Sequence, residues 1–172
     1  MCRSRLQRDD HHRRDPCMND AKSRVDNALI GAAGVHFVVS ELSLRGLIAL
    51  PTIRNTAGVD VVVVSADGSW HANLQVKTSI NRVKFWPVGK RYEQVCGKNN
   101  FYVFVRYIKR EARFEAFLES ADRVAEDIRA SIESSRNRGY AEWTPCWSLP
   151  KDEGACERVR QQWLEFGPGS FA

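Results

Sequence analysis

The chain has no CxxC pair, no internal repeat and little net charge for its 172 residues. Its five cysteines, Cys2, Cys17, Cys96, Cys146 and Cys156, are odd in number and scattered. That excludes a disulfide framework and a zinc knuckle, and reduced thiols in a cytoplasm are expected. Cys96, Cys146 and Cys156 lack a His or Asp partner at a motif spacing, which argues against a thiol enzyme. No apolar run approaches the roughly 18–20 residues of a membrane span, so no membrane association is expected. The opening MCRSRLQRDDHHRRDP has no apolar core, so no secretory signal is expected. Lys and Arg number 26 against 21 Asp and Glu, a net charge of +5 that permits a polyanionic partner without demonstrating one. What is present is ordinary for a soluble globular protein: 43% hydrophobic and 27% charged residues, with a mean hydropathy of −0.42. The length suits one domain with a real core.

Residues 1–17 stand apart. Five Arg against three Asp give this segment +2 of the chain's +5 and leave the body +3. With Leu6 as its one large aliphatic residue, the segment reads as a disordered basic tail, and residues 18–172 as a single domain. His11 and His12 sit side by side, a poor geometry for a metal.

The body opens with a long helix. Asn19 or Asp20 can cap it, and Ser23 to Asp26 offers a second start. Val25, Leu29, Ala32, Ala33, Phe37, Val38, Leu42 and Leu44 recur at helical spacing, and Gly46 is the stop. Gly31 and Gly34 inside it suggest close approach of another backbone. Residues 47–53 read as an edge strand because of Pro51, and 59–64, VDVVVV, as a strand covered on both faces. Asp67-Gly68 is a hairpin turn, with 70–77 as the returning strand. Residues 78–100 read as irregular, 101–108 and 114–118 as strands, and 121–136 as an amphipathic helix capped by Ser120. Residues 139–152 read as loop and 155–166 as a short helix. The order belongs to a mixed α/β sandwich.

One pattern carries chemistry. Asp60 opens a buried strand, and Gln75 and Lys77 lie two apart on the strand returning from the hairpin, hence on one face. The hairpin brings all three to one sheet end. A buried Asp and Lys need pairing or a metal. A carboxylate with an amide oxygen suits Mg²⁺, and a nearby Lys can orient water or stabilise charge on a phosphate oxygen. The implied chemistry is metal-assisted hydrolysis of a phosphodiester.

The stretches GAAGVHFVVSELSLRG at 31–46, GVD at 58–60, LQVKTS at 74–79 and FYVFVRY at 101–107 resemble the PD-(D/E)XK nuclease superfamily, in its small bacterial endonuclease-like branch. The resemblance implies a three-layer restriction-endonuclease-like core, a central mixed sheet flanked by helices with a long first helix. It implies an Mg²⁺- or Mn²⁺-dependent deoxyribonuclease with Asp60 as the metal aspartate, Gln75 as a tolerated variant of the second metal ligand and Lys77 as the catalytic lysine. DNA is then the expected partner, and a homodimer is compatible. Family members carry a Glu in the first helix where this chain has Val35. Glu41, six residues on, lies about 240° around the helix from that position and cannot replace it. The lone carboxylate raises the alternative of a catalytically lapsed nuclease-fold protein that binds nucleic acid or a protein partner. His36, beside Val35, reads as a helix-surface residue.

Thr78 and Ser79 could contact phosphate. Arg82, Lys84, Lys90, Arg91 and Lys98, with Phe85, Trp86 and Tyr92 interleaved, form the most basic stretch of the body. They read equally as a strand-tracking loop, with cations on phosphates and rings on bases, and as a solvated loop. Trp143, Trp147 and Trp163 are expected to pack the C-terminal segment onto the sheet.

Overall fold

The structure, a computed structural model, describes residues 25–53, 58–80, 83–139 and 144–170. The tail at 1–17, the caps at Asn19 and Asp20, Arg82 and Trp143 lie outside the described residues.

The first helix, α1, spans Asn27–Leu44 and starts at the second of the two expected positions. The Asp26 side chain accepts a hydrogen bond from the Ala28 N–H at 2.9 Å, satisfying one of the free donors at the helix start. Gly46, with φ +80°, follows the helix end in a conformation that disfavours a side chain. Five strands then form one sheet: β1 (Ile48–Pro51), β2 (Val61–Val64), β3 (His71–Ile80), β5 (Asn100–Ile108) and β6 (Arg113–Ser120), in the order β1-β2-β3-β5-β6. β3 and β5 run parallel and every other neighbour is antiparallel, so the sheet is mixed. Pro51 ends the edge strand, as expected. In the β2–β3 turn the Ser65 hydroxyl, then the Ser69 N–H and hydroxyl, donate to the Asp67 carboxylate and hold its pKa at about 2.

Each face of the sheet carries its own core. Val38 and Leu42 of α1 meet Val61, Val63, Leu74, Val76, Val103 and Val105 on one face. On the other, Val124 and Ile128 of α2 (Ala121–Asn137, capped by Ser120) meet Tyr102, Phe104 and Phe117. β5 therefore buries residues 101 to 105 without alternation, the pattern of a strand covered on both sides. The result is an α+β fold in three layers. A last helix, α3 (Glu153–Leu164), packs on β6, where Arg158 pairs with the buried Glu119 at 2.7 Å.

Two stretches read from sequence as irregular hold structure. Residues 78–100 include the end of β3, a three-residue strand β4 (Phe85–Pro87) and a 3₁₀ turn at Tyr92–Val95. Residues 139–152 include β7 (Cys146–Ser148), which pairs antiparallel with β4. Three residues are too few to show a period of two. What fixes this ribbon is tertiary: Trp86 and Trp147 face each other across it, and Trp147 stacks on Phe104 at 4.0 Å. Trp147 and Trp163 are both buried, in line with the packing role expected of them.

Two further expectations change. Gly34 is indeed a point of close approach, but to a side chain: a Cβ there would lie 1.8 Å from Thr78 Oγ1. Gly31 has nothing within 4 Å of its missing Cβ. α1 also departs from the expectation of no apolar run near the length of a span: its 18 residues have a mean hydropathy of 1.3 and by length and composition alone could cross a membrane. His36, Ser40 and Glu41 interrupt the run without lowering that average much. In the fold α1 lies on the sheet through Gly34, Val38 and Leu42, leaving Leu29 and Leu44 exposed.

Gly34→Val is expected to destabilise by about 1–3 kcal/mol, because the branched side chain must push α1 off β3. Thr78→Ala should recover only part of that loss, since the Thr78 Cβ itself would lie 2.8 Å away. Gly31→Ala should stabilise by roughly 0.5–1 kcal/mol through helix propensity. Urea unfolding of Gly34→Val, Gly34→Val/Thr78→Ala and Gly31→Ala checks this ordering.

Candidate functional site

The site is organised by the residue just before β2. Asp60 donates its N–H to Leu74 O at 2.8 Å and accepts from Thr52 N–H at 2.9 Å through its carbonyl. Its side chain turns into the plane of the sheet, and Oδ2 accepts the Val76 N–H at 2.8 Å. The carboxylate thus takes a ladder donor that β2, beginning only at Val61, does not reach. Thr52 Oγ1 donates to Val59 O at 2.6 Å and pins the chain entering this turn. Among the described residues the other carboxylate oxygen has no hydrogen-bond partner.

Gln75 and Lys77 alternate with the buried Leu74 and Val76, so they lie on the face away from α1. Their ladder partners on β5 are Tyr102 and Phe104. Burial pushes the Lys77 ammonium down from its ordinary pKa, and the Asp60 carboxylate partly offsets this through space. Burial, with smaller contributions from Cys96 and Asp60, pushes the Tyr102 phenol up, so it keeps its proton. Gln75 Oε1 and Tyr102 Oη are both buried, and neither has a hydrogen-bond partner among the described residues.

On the opposite face a cavity of about 540 Å³ lies between α1 and the ends of β1 and β2. Gly31, Val35, His36, Thr52, Asp60 and Val76 line it. The sequence placed Asp60, Gln75 and Lys77 around a single point. In the structure Asp60 stands at the boundary between the two faces. It borders the cavity that Val35 looks into, and its charge reaches Lys77 behind the sheet. Gln75 and Lys77 do not line that cavity. The alternation of β3 causes the split, because a hydrogen bond to the Val76 N–H holds the Asp60 carboxylate between the faces. Glu41 pairs with Arg45 at 3.2 Å, away from the cavity, as its helical position implies.

The Asp60 carboxylate and the unpartnered Gln75 amide oxygen are both hard oxygen donors, the type that Mg²⁺ and Mn²⁺ take. Among the described residues no three His, Cys, Asp or Glu side chains group as a metal cage.

The residues expected to touch nucleic acid divide. Thr78 lies on the α1 face with its hydroxyl buried beneath Gly34, so it cannot meet a phosphate. Trp86 is fully buried and donates its indole N–H to Val105 O at 2.9 Å, so it is a core residue. Phe85, 57% exposed, is the ring β4 turns to solvent. Lys84, Lys90 and Arg91 are exposed and Ser79 is half-buried on the Lys77 face. Tyr102 went unremarked in sequence, where its ladder partner could not be known. Burial pushes the Cys96 and Cys146 thiols up, which keeps them protonated.

No family model matches the chain, and neither a curated protein nor a solved structure matches it.

Lys77 yields a signed pH prediction. Its folded pKa lies below the ordinary 10.5, so between those two values the unfolded chain binds more protons and stability rises with pH. Lys77→Met removes the cost of burying the ammonium. Its melting temperature is expected to exceed that of the parent at pH 7, with the gap closing as the pH approaches 10.5. Thermal melts across that range check it.

Proposed function

We propose that the protein is a metal-dependent endonuclease that hydrolyses DNA phosphodiester bonds. The observation that carries this reading is the Asp60 carboxylate at the start of β2, one oxygen unpartnered, with the half-buried Lys77 ammonium in its field. Mg²⁺ or Mn²⁺ would be held by Asp60 and Gln75. Such an ion, when bound, polarises a phosphoryl oxygen and lowers the pKa of water. Lys77, poorly solvated and without a contact ion pair among the described residues, is free to donate hydrogen bonds to a phosphate oxygen as charge builds on it. Lys84, Lys90 and Arg91 supply phosphate contacts, and Phe85 a face on which a base can stack. The PD-(D/E)XK resemblance supports the same assignment, with DNA as partner and the cytoplasm as compartment.

Supercoiled and branched DNA should be cut in Mg²⁺ or Mn²⁺, with activity lost in Lys77→Ala and Asp60→Asn. The asparagine keeps an oxygen for the Val76 N–H, so the fold is expected to survive that substitution. Wild-type activity no higher than that of Lys77→Ala would overturn the proposal.

A second reading has its own observation. Val35 occupies the wall of the cavity beside Asp60, leaving one carboxylate there among the described residues. A lapsed enzyme would bind DNA with a salt-dependent affinity and cut nothing. In that case Lys84→Ala should lower the slope of log affinity against log salt by about 1. Val35→Glu should tighten Mn²⁺ binding measured by calorimetry, and an unchanged affinity would contradict this account.

A further inference from the structure

α1 meets the sheet along part of its length only. Its buried residues are Gly34, Val38 and Leu42, and none of the residues from Asn27 to Ala33 is buried. The helix is pressed onto β3 at Gly34, where a Cβ would lie 1.8 Å from Thr78 Oγ1. Ahead of that contact a groove of about 380 Å³ opens between the first two turns and the sheet. One row across three strands lines its sheet side: Ile80 of β3 opposite Tyr107 of β5, and Tyr107 opposite Phe114 of β6. The Tyr107 and Phe114 ring centroids are 4.9 Å apart, and Phe114 stacks on Phe37 at 4.7 Å, which holds this row in place. Val25, Leu29 and Ala33, spaced four apart, line the helix side. Val25 is 43% and Leu29 64% exposed, so the groove leaves apolar surface in water. Its walls offer almost nothing polar, since the Thr78 hydroxyl is buried beneath Gly34. Lys109, just past the end of β5, is the charged residue that lines it, exposed and without an ion pair among the described residues.

We propose that this groove binds a medium-chain alkyl carboxylate, with the chain between α1 and the Ile80–Tyr107–Phe114 row and the carboxylate on the Lys109 ammonium. The size is that of a small-molecule site, for which about 300–1,000 Å³ is usual. At roughly 30 Å³ per methylene-sized group, the share of a water in the liquid, it has room for about eight to ten carbons and a headgroup. Charge decides the class of ligand. A nucleic acid needs a cation for each of several phosphates, and this groove supplies one. One cation beside apolar walls matches a ligand with one negative charge and a long apolar body. The carboxylate meets Lys109 in water, so no charge has to be buried. The groove shares no lining residue with the cavity beside Asp60, which lies on the other side of α1, so the inference does not rest on the nuclease reading.

The test is calorimetric titration of the full chain with hexanoate, octanoate, decanoate and tetradecanoate, each below its micelle concentration. Affinity should rise by about fourfold per added methylene as far as decanoate and then level off. An affinity that ignores chain length would overturn the proposal. Lys109→Glu should weaken octanoate by about fivefold or more and leave 1-octanol unchanged. An equal effect on the two, or none on octanoate, would overturn it. Ala33→Leu should fill the groove and weaken octanoate at least about tenfold, while the melting temperature stays near the parent's, because the position is exposed and leucine is a good helix former. Undiminished octanoate binding in that variant would count against the proposal as decisively. Octyltrimethylammonium bound as tightly as octanoate would show apolar adsorption only and overturn it. Binding to phosphatidylglycerol vesicles without binding of free octanoate would give the groove to a membrane instead. A dimer in solution that Leu29→Glu disperses would give it to a second copy of the chain, and either result overturns the proposal.

Discussion

The hydrogen bond from the Val76 N–H to the Asp60 carboxylate, 2.8 Å long, is the joint on which the rest of the site turns. β2 begins at Val61, opposite Leu74, and so stops short of that N–H; an unserved buried donor costs about 1–3 kcal/mol. A carboxylate supplies the acceptor at the price of bringing a charge to the sheet end. Because one oxygen is committed to the backbone, the side chain cannot swing. Asp60 borders the cavity under α1, and its charge acts on Lys77 from the side. The Thr52 bonds to Val59 and Asp60 tie the edge strand to the same turn, so β1, β2, β3 and α1 all meet there.

Much of this was legible in the residues. The helical spacing from Val25 to Leu44, the β-branched run before Ser65, the Asp67-Gly68 turn and the unbroken apolar stretch from Phe101 each encode a local preference strong enough to read alone. Ser120 stood out as a cap because a hydroxyl there meets a free helix N–H. The small β4–β7 ribbon was not legible. Its strands are three residues long, and only the burial of Trp86 and Trp147 against Phe104 gives them a reason to exist. Thr78 shows the same limit at the level of one side chain. It shares a motif with Lys77, yet one step along a strand is a change of face, and Gly34 leaves space for it under the helix. The pairing of Gln75 with Tyr102 depends on a parallel register across a gap of more than twenty residues, which no local pattern specifies.

The candidate site was visible in part for the same reason. Asp60, Gln75 and Lys77 could be assigned to one sheet end from strand spacing and the hairpin. That Asp60 would stand between two faces, with Val35 and the cavity on one side and Lys77 with Tyr102 on the other, follows from the hydrogen bond to Val76. This geometry also explains why a single acid at position 60 matters so much. It is the charged group that borders the cavity wall and acts on the lysine at once, and no neighbouring carboxylate duplicates it among the described residues.

The central claim is that Asp60 and Gln75 together make a loose oxygen site for a divalent cation. The most direct measurement is anomalous diffraction from crystals soaked in Mn²⁺. The account predicts a manganese peak beside the free oxygen of Asp60 and within reach of Gln75 Oε1. A saturating soak with no peak there, or with Mn²⁺ bound only elsewhere, would contradict it.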